Sequence, residues 1–256
     1  MSERMPARRG GWRLRAGEWL VYAAARLFRA ATWPFPAWAA GDALAPLAGW
    51  LALMLPRPRR RALDNLARVY PEMDAPARRR LVRAAGGHMV RLFVEYAQLE
   101  RWRNRVEIAL EGAGHLPRGR PAVIVTAHYG NWEAVRVAAL REGVECAILY
   151  RAFNNRYGDR FVQRHIAAVG TPVLQKGRAG MRAAREHLAG GGVLMILVDQ
   201  RNTGAPFIPF LGHPAETVTV AATLARRQGA ALILVTAVAF AFPFFADRYV
   251  LDVVIN

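Results

Sequence analysis

The stretch that decides the fold runs from Val123 to Val135 and reads VIVTAHYGNWEAV. Its first residues, up to Thr126, are apolar or β-branched and predict a buried strand, whereas the residues from Glu133 onward have the apolar spacing of a helix. His128 therefore lies where a strand passes into a helix. In α/β proteins this junction is a common place for functional side chains.

A histidine and a carboxylate flank the turn in this stretch. His128 and Glu133 have Gly130 and Asn131 between them, which permit a sharp change of direction. On a regular helix the pair would lie about 140° apart, so we expect His128 in the loop and Glu133 in the first helical turn, reaching back to the imidazole. A histidine oriented in this way accepts a proton from a hydroxyl, which is expected to belong to the substrate because the pair includes no serine. The alternative is an ordinary loop histidine beside a carboxylate that the helix dipole stabilises.

The chain after Val106 alternates between strand-like and helix-like segments. Strands are predicted at residues 146–150, 172–174, 193–198, 231–240 and 249–255, and helices at residues 157–169, 181–189 and 218–228. This alternation predicts an α/β fold with a largely parallel sheet flanked by helices. No glycine-rich nucleotide-binding motif precedes any of these helices, so the sequence does not support a nucleotide-binding fold.

Polar residues follow two of the predicted strands. Tyr150 and Arg151 end one strand, and Asp199 and Gln200 end another. In a parallel sheet both pairs lie on the same edge as His128. Arg151 could bind a phosphate or stabilise the oxyanion that forms when a thioester carbonyl is attacked; the alternative is a salt bridge with a neighbouring aspartate.

The first 56 residues are predicted to associate with a membrane surface. Residues 1–15 form a basic arm, residues 19–28 a short helix, and residues 33–55 an apolar segment interrupted by prolines. The continuous apolar part of this segment is far shorter than the ~20 residues that a transmembrane helix needs. We therefore expect an N-terminal helical membrane-associating extension that lies in the interface. The alternative is that its tryptophans cover the core of the following domain.

Composition restricts the partners and the chemistry. The net charge is +17, which indicates an anionic partner: nucleic acid, anionic lipid or an acidic protein. No stacking or groove-reading motif accompanies the charge, so nucleic acid is not expected, and the basic run at residues 57–61 suits the anionic lipid of a cytoplasmic leaflet. Cys146 is the single cysteine and is expected to be a buried thiol. No metal or cofactor is expected.

The hexapeptide from His128 to Glu133, HYGNWE, resembles the signature of the lysophospholipid acyltransferase superfamily. Its form is typical of the late acyltransferases of lipid A biosynthesis, the lauroyl and myristoyl transferases. The resemblance extends from about Arg60 to the C-terminus, with a departure at Ala152, where relatives often have proline. It divides the chain into two parts. Residues 1–56 contain the basic arm and the interfacial helices, and residues 57–256 form an acyltransferase domain, with a helical lead-in up to residue 104 and an α/β core from residue 105. Because the sequence stops within a predicted strand where relatives commonly continue, this domain is expected to be C-terminally shortened.

The resemblance also implies roles for individual residues. His128, oriented by Glu133, would be the general base, and Arg151 would bind substrate or act in catalysis. The apolar segment from Pro206 to Gly212 would form a wall for an acyl chain, with ordinary core packing as the alternative. The substrate-binding residues implied are Tyr129, Asn131, Trp132, Tyr150, Asp199, Gln200, Phe207, Phe210 and Gly212.

The expected reaction is transfer of a fatty acyl chain from an acyl carrier protein thioester to a hydroxyl of a lipid A precursor. The expected location is the cytoplasmic face of a bacterial inner membrane, with anionic lipid as a further partner. Two alternatives remain open at this point: an acyltransferase for another glycolipid or phospholipid acceptor, and a catalytically degenerate protein that binds lipid at the membrane surface.

Overall fold

The structure, a computed structural model, describes residues 12–111, 113–200, 203–242 and 245–255. Most of the predicted basic arm, residues 1–11, lies outside the described residues. Five helices precede the sheet: α1 (Trp12–Thr32), α2 (Ala37–Met54), α3 (Pro56–Val69), α4 (Ala75–Ala97) and α5 (Leu99–Arg105).

The rest of the described chain alternates between strands and helices. The strands are β1 (Glu107–Glu111), β2 (Ala122–Thr126), β3 (Cys146–Tyr150), β4 (Val173–Gln175), β5 (Val193–Leu197), β6 (Phe207–Phe210), β7 (His213–Glu216), β8 (Ala231–Phe242) and β9 (Phe245–Ile255). The helices are α6 (Glu133–Arg141), α7 (Arg156–Ala167), α8 (Arg178–Ala189) and α9 (Val220–Gln228), and a short 3₁₀ turn spans Ala113–His115.

Seven strands form one sheet in the order β1-β9-β8-β2-β5-β3-β4. Every neighbouring pair is parallel except β8 and β9. Five strands, from β8 to β4 in this order, therefore run in one direction, and the prediction of a largely parallel sheet flanked by helices is confirmed. β6 and β7 form a separate antiparallel hairpin at a place where the sequence predicted only a loop.

Alternate residues of the central strands bury on opposite faces of the sheet, as the two-residue period of a strand requires. Ile124 of β2 belongs to the core on one face, with Val135 of α6 and Trp102 of α5. Val123 belongs to the core on the other face, which includes Leu188 of α8 and Leu224 of α9. Helices on both faces explain why these strands read as almost continuous apolar runs.

Two N-terminal helices pack directly on later parts of the chain. α2 lies against α4 through small residues: a Cβ added at Gly49 would lie 2.6 Å from the Arg83 carbonyl oxygen, and one added at Gly86 would lie 2.6 Å from the Ala52 Cβ. α1 contacts α7, where the Asn155 side-chain amide donates to the Glu18 carbonyl oxygen at 2.8 Å. The boundary expected near residue 56 thus has close packing across it.

Of the described helices, α2 is the one that is long and apolar enough to cross a membrane, judged by length and composition, and 28% of its 18 residues are buried within the protein. Pro46 lies inside this helix, so the proline does not interrupt the apolar segment as the sequence analysis expected. The outward side chains of α2 include Trp38, Leu47, Trp50 and Met54, each between 44% and 61% exposed. The tryptophan at position 50 therefore does not cover the core, which was the alternative explanation for the tryptophans of this segment.

Candidate active site

The carboxyl ends of β2 and β5 bring His128 and Asp199 together. The two strands are parallel with Thr126 opposite Leu197, and the Val198 amide donates to the Thr126 carbonyl oxygen at 3.0 Å. Each polar residue follows two positions after the paired end of its strand, so both reach the same edge of the sheet. The convergence expected from a parallel register is confirmed for these two positions.

Asp199 holds His128 with both carboxylate oxygens. The His128 Nδ1 lies 2.7 Å from Asp199 Oδ1, and the His128 backbone amide donates to Oδ2 at 2.8 Å. On the other side of the ring, Gln200 Nε2 lies 3.2 Å from His128 Nε2. Both contacts fit the tautomer that carries its proton on Nδ1 and keeps a lone pair on Nε2. With 32% of the His128 side chain exposed, this lone pair can receive a proton from a hydroxyl that displaces the Gln200 amide.

The prediction that Glu133 reaches back to His128 is wrong in this structure. The Glu133 side chain is fully buried, its Oε2 accepts from Arg136 Nη1 at 2.8 Å, and its Oε1 accepts from the Tyr96 hydroxyl at 3.1 Å. The physical reason is that α6 begins at Glu133 itself, so that Arg136, three residues on, lies on the same face. The carboxylate that orients the imidazole is that of Asp199.

Arg136 was missed by the sequence analysis, and it connects three elements beneath the site. Its side chain is fully buried. Besides the Glu133 carboxylate, its guanidinium donates to the carbonyl oxygens of Cys146, Ile166 and Gly170. Helix α6, the start of β3 and the end of α7 are thereby fixed to one another. Every one of these bonds is between buried groups, where an unpaired charge would be costly.

Tyr96 of α4 completes this buried network. Burial and the neighbouring Glu133 carboxylate hold the pKa of Tyr96 well above its ordinary value, so its hydroxyl stays a hydrogen-bond donor. The Tyr96 ring lies 5.4 Å from the Trp132 ring, and the Trp132 ring meets the His128 imidazole edge-on at 4.6 Å, centroid to centroid. Trp132 therefore lies between Tyr96 of the buried network and the exposed His128.

Asn131 fixes the turn between His128 and α6. Its Oδ1 accepts from the Glu133 backbone amide at 3.1 Å, and its Nδ2 donates to Glu95 Oε2 at 2.9 Å. The residue is buried, and Gly130 before it has a φ of 62°, which glycine adopts without strain. In the structure Asn131 is thus part of the scaffold of the turn, whereas Tyr129 is 63% exposed.

Tyr150, which ends β3, and Arg151, which follows it, have different environments. Arg151 is exposed, and within the described ranges it forms no ion pair, so the alternative of a salt bridge with an aspartate is not observed. Asp159 instead accepts from the Phe153 amide at 2.9 Å and from Gln163 Nε2 at 2.8 Å. The buried Tyr150 has its hydroxyl hydrogen-bonded to Gln163 of α7, and burial, with the nearby Asp159, raises its pKa.

The aromatic residues expected to line an acyl chain lie on the outside of the β6–β7 hairpin. Phe207 and Phe210 are 67% and 64% exposed, so they do not take part in core packing. Leu211 and Gly212 form the two-residue turn with φ values of 49° and 78°. Nothing in the described contacts joins these residues to His128.

Cys146 is buried, as expected, and burial raises the pKa of its thiol to about 12. No group of three histidine, cysteine or acidic side chains suited to a metal ion occurs among the described residues.

A family model described as bacterial lipid A biosynthesis acyltransferase matches residues 12–243. The chain belongs to this family. As a member of the lipid A biosynthesis acyltransferase family, it carries an acyl group to a lipid.

The match to the lipid A acyltransferase family confirms the resemblance drawn from the HYGNWE hexapeptide. Among solved structures, the chain is similar to the 1-acyl-sn-glycerophosphate acyltransferase PlsC from Thermotoga maritima, with 13% sequence identity and a TM-score of 0.40 over 92% of this chain and 85% of that one. No protein with a curated description matches the sequence.

Proposed function

We propose that the protein transfers a fatty acyl chain from an acyl carrier protein thioester to a hydroxyl of a lipid A precursor. The observation that carries the proposal is the geometry of His128, whose Nδ1 is held at 2.7 Å by Asp199 and whose Nε2 contacts the exposed Gln200 side chain at 3.2 Å. A hydroxyl in place of the Gln200 amide would lose its proton to Nε2 as its oxygen attacks the thioester carbonyl. The imidazolium formed is stabilised by Asp199, and the proton then goes to the leaving thiolate.

Arg151 is proposed to bind the negative charge that this step creates. Its guanidinium is exposed at the end of β3, two strands from His128 in the sheet order, with β5 between them. An exposed cation without an ion-pair partner among the described residues is available for an oxyanion or for a phosphate of the acceptor. Gln200, as the group that occupies the Nε2 position, is proposed to mark the place of the acceptor hydroxyl.

The proposed location is the cytoplasmic face of a bacterial inner membrane. The outward side chains of α2 are apolar apart from Asp42, which pairs with Arg91 of α4, and α3, which follows α2 directly, carries five arginines and one acidic residue. An apolar helix next to a cationic one suits a surface of anionic lipid. The net charge of +17 would attract the acidic carrier protein as well, and association should slow as salt is added.

The test is acyl transfer by the purified protein in detergent. Wild-type protein and a His128→Ala variant are incubated with acyl carrier protein thioesters of several chain lengths and a tetra-acylated lipid A precursor, with His115→Ala, at an exposed histidine, as the matched control. We expect transfer by wild type and control and a loss of about 10²- to 10⁴-fold in His128→Ala, the range typical of a positioned general base. Similar rates in all three proteins would exclude His128 as the base. Activity only with another glycolipid or phospholipid would identify that lipid, and not a lipid A precursor, as the acceptor.

A further inference from the structure

The β6–β7 hairpin exposes large apolar side chains on both faces. Phe207, Ile208, Phe210 and Leu211, here called the hairpin tip, are 67%, 42%, 64% and 59% exposed. Antiparallel strands commonly bury one face on a core, but all four residues of β6 are exposed. A two-stranded hairpin is marginally stable alone in water, which indicates that something covers this one when the protein works.

The turn of the hairpin is apolar where a turn in water is usually polar. The two central residues, Leu211 and Gly212, both have positive φ, a conformation that favours glycine, asparagine and aspartate. A leucine is strained there. Its aliphatic side chain at the outermost point of the hairpin is explained if that point lies in an apolar medium.

Polar contacts hold the hairpin both beside its turn, through His213, and at its open end. His213 Nε2 donates to the carbonyl oxygen of Arg68, at the end of α3, at 3.1 Å. The Gly204 amide donates to Glu216 Oε1, and the Thr217 amide donates to the Pro206 carbonyl oxygen. The hairpin is thus held against α3 beside its turn and closed by hydrogen bonds at its open end, while its large apolar side chains stay exposed.

The helix that holds the hairpin is strongly cationic. α3 has no buried residue and carries Arg57, Arg59, Arg60, Arg61 and Arg68 against a single aspartate. An apolar tip beside a cationic helix matches an anionic lipid leaflet, which offers hydrocarbon and phosphate at adjacent depths. A wall for a bound acyl chain would instead lie in a concave pocket that excludes water, and the exposure of the tip does not fit that role.

We propose that the β6–β7 hairpin inserts its tip into the headgroup and acyl boundary of an anionic leaflet while the arginines of α3 contact lipid phosphates. β6 begins seven residues after Gln200, whose side chain contacts His128, so the inserted strand starts within about 25 Å of Gln200 along the chain. The proposal rests on the proposed function only in taking the acceptor to be a membrane lipid.

The first experiment reads insertion without catalysis. In a Cys146→Ser background, which removes the single native thiol, Leu211→Cys is labelled with an environment-sensitive fluorophore, and Arg185→Cys on α8 serves as the exposed control. With vesicles of phosphatidylglycerol and phosphatidylcholine we expect a blue shift and quenching by chain-attached nitroxides at position 211 and neither at position 185. No shift at 211 on vesicles that bind the protein would overturn the proposal, whether or not acyl transfer occurs.

The second experiment separates the membrane from an acyl-chain wall. Leu211→Asn keeps the positive φ, which asparagine tolerates, and removes the apolar side chain. We expect at least a tenfold lower rate on acceptor presented in anionic vesicles, with an unchanged rate on acceptor dispersed in detergent. A changed chain-length preference in detergent would instead assign the tip to the acyl chain and contradict insertion.

Discussion

Replacing Glu133 by glutamine tests whether this carboxylate stabilises the fold, in contrast to Asp199, whose carboxylate contacts His128. The substitution keeps the shape of the side chain but leaves the Arg136 guanidinium charged, with its ion-pair partner gone and both side chains fully buried. Breaking a buried pair in this way costs about 3–5 kcal/mol of folding free energy. Because 1 kcal/mol shifts the melting temperature of a domain of this size by about 2–4 °C, the midpoint should fall by about 6–20 °C.

Asp199→Asn is expected to give the opposite result. The Asp199 side chain is 38% exposed, so its pairing contributes at most about 1 kcal/mol to stability, and the melting temperature should change by a few degrees or less. Asparagine no longer provides two acceptors for the Nδ1 proton and the His128 amide. We expect kcat to fall about 10²- to 10⁴-fold because the tautomer and the orientation of the base are lost.

The assay measures melting by circular dichroism and kcat at a temperature well below both midpoints, where each variant is folded. Glu186→Gln is the matched control, since it breaks the exposed pair with Arg182 on α8 and should change neither quantity measurably. A Glu133→Gln protein that melts like wild type and loses as much kcat as Asp199→Asn would refute the reasoning. Glu133 would then act on the reaction itself and not through the buried network.

Two further predictions concern packing and the thiol. Gly49→Ala should lower the free energy of unfolding by about 1–3 kcal/mol, measured as a lower melting temperature, because the new Cβ would lie 2.6 Å from the Arg83 carbonyl oxygen and force α2 away from α4. The control is Gly17→Ala on α1, whose new Cβ meets no atom within 4 Å and should not destabilise the protein. Equal effects of the two changes would contradict the close approach of α2 and α4. Burial raises the pKa of the Cys146 thiol to about 12, so the thiol stays protonated at pH 8. At that pH it should react with a thiol reagent only after the protein is unfolded in urea. Rapid reaction of the folded protein would contradict the burial of Cys146.

The sheet and the convergence of His128 and Asp199 could be predicted because both follow from local patterns. Apolar runs separated by amphipathic helices indicate parallel strands, and parallel strands end at one edge. The structure has this arrangement, with Thr126 opposite Leu197. The helical lead-in before the α/β core was also predicted, and the structure has α3, α4 and α5 there.

The partner of His128 could not be predicted from spacing. By their spacing from the strand ends, both Glu133 and Asp199 could reach the imidazole. Which of the two carboxylates binds His128 depends on where α6 begins and on which groups its first side chain contacts inside the protein. Arg136 decides this, yet in a helix an arginine ordinarily faces water. Its position three residues after Glu133 in an otherwise apolar helix was the available signal.

The hairpin was missed for a different reason. Prolines are disfavoured within strands because they cannot donate to the ladder, and β6 and β7 each contain one. In the structure Pro209 and Pro214 lie opposite each other in the register. A two-stranded ribbon has a free outer edge on each strand, so the two prolines are tolerated together.

The packing of α1 on α7 and of α2 on α4 has a geometric consequence for the choice of substrate hydroxyl. Helices that are bonded to the α/β core, as α1 is by the hydrogen bond from Asn155 to Glu18, do not act as a flexible tether. If α2 lies at a membrane surface as proposed, the imidazole of His128 stands at one fixed height above the lipid. Hydroxyls of a lipid headgroup differ in their height above the bilayer, so vertical distance alone would let the enzyme distinguish one hydroxyl from another.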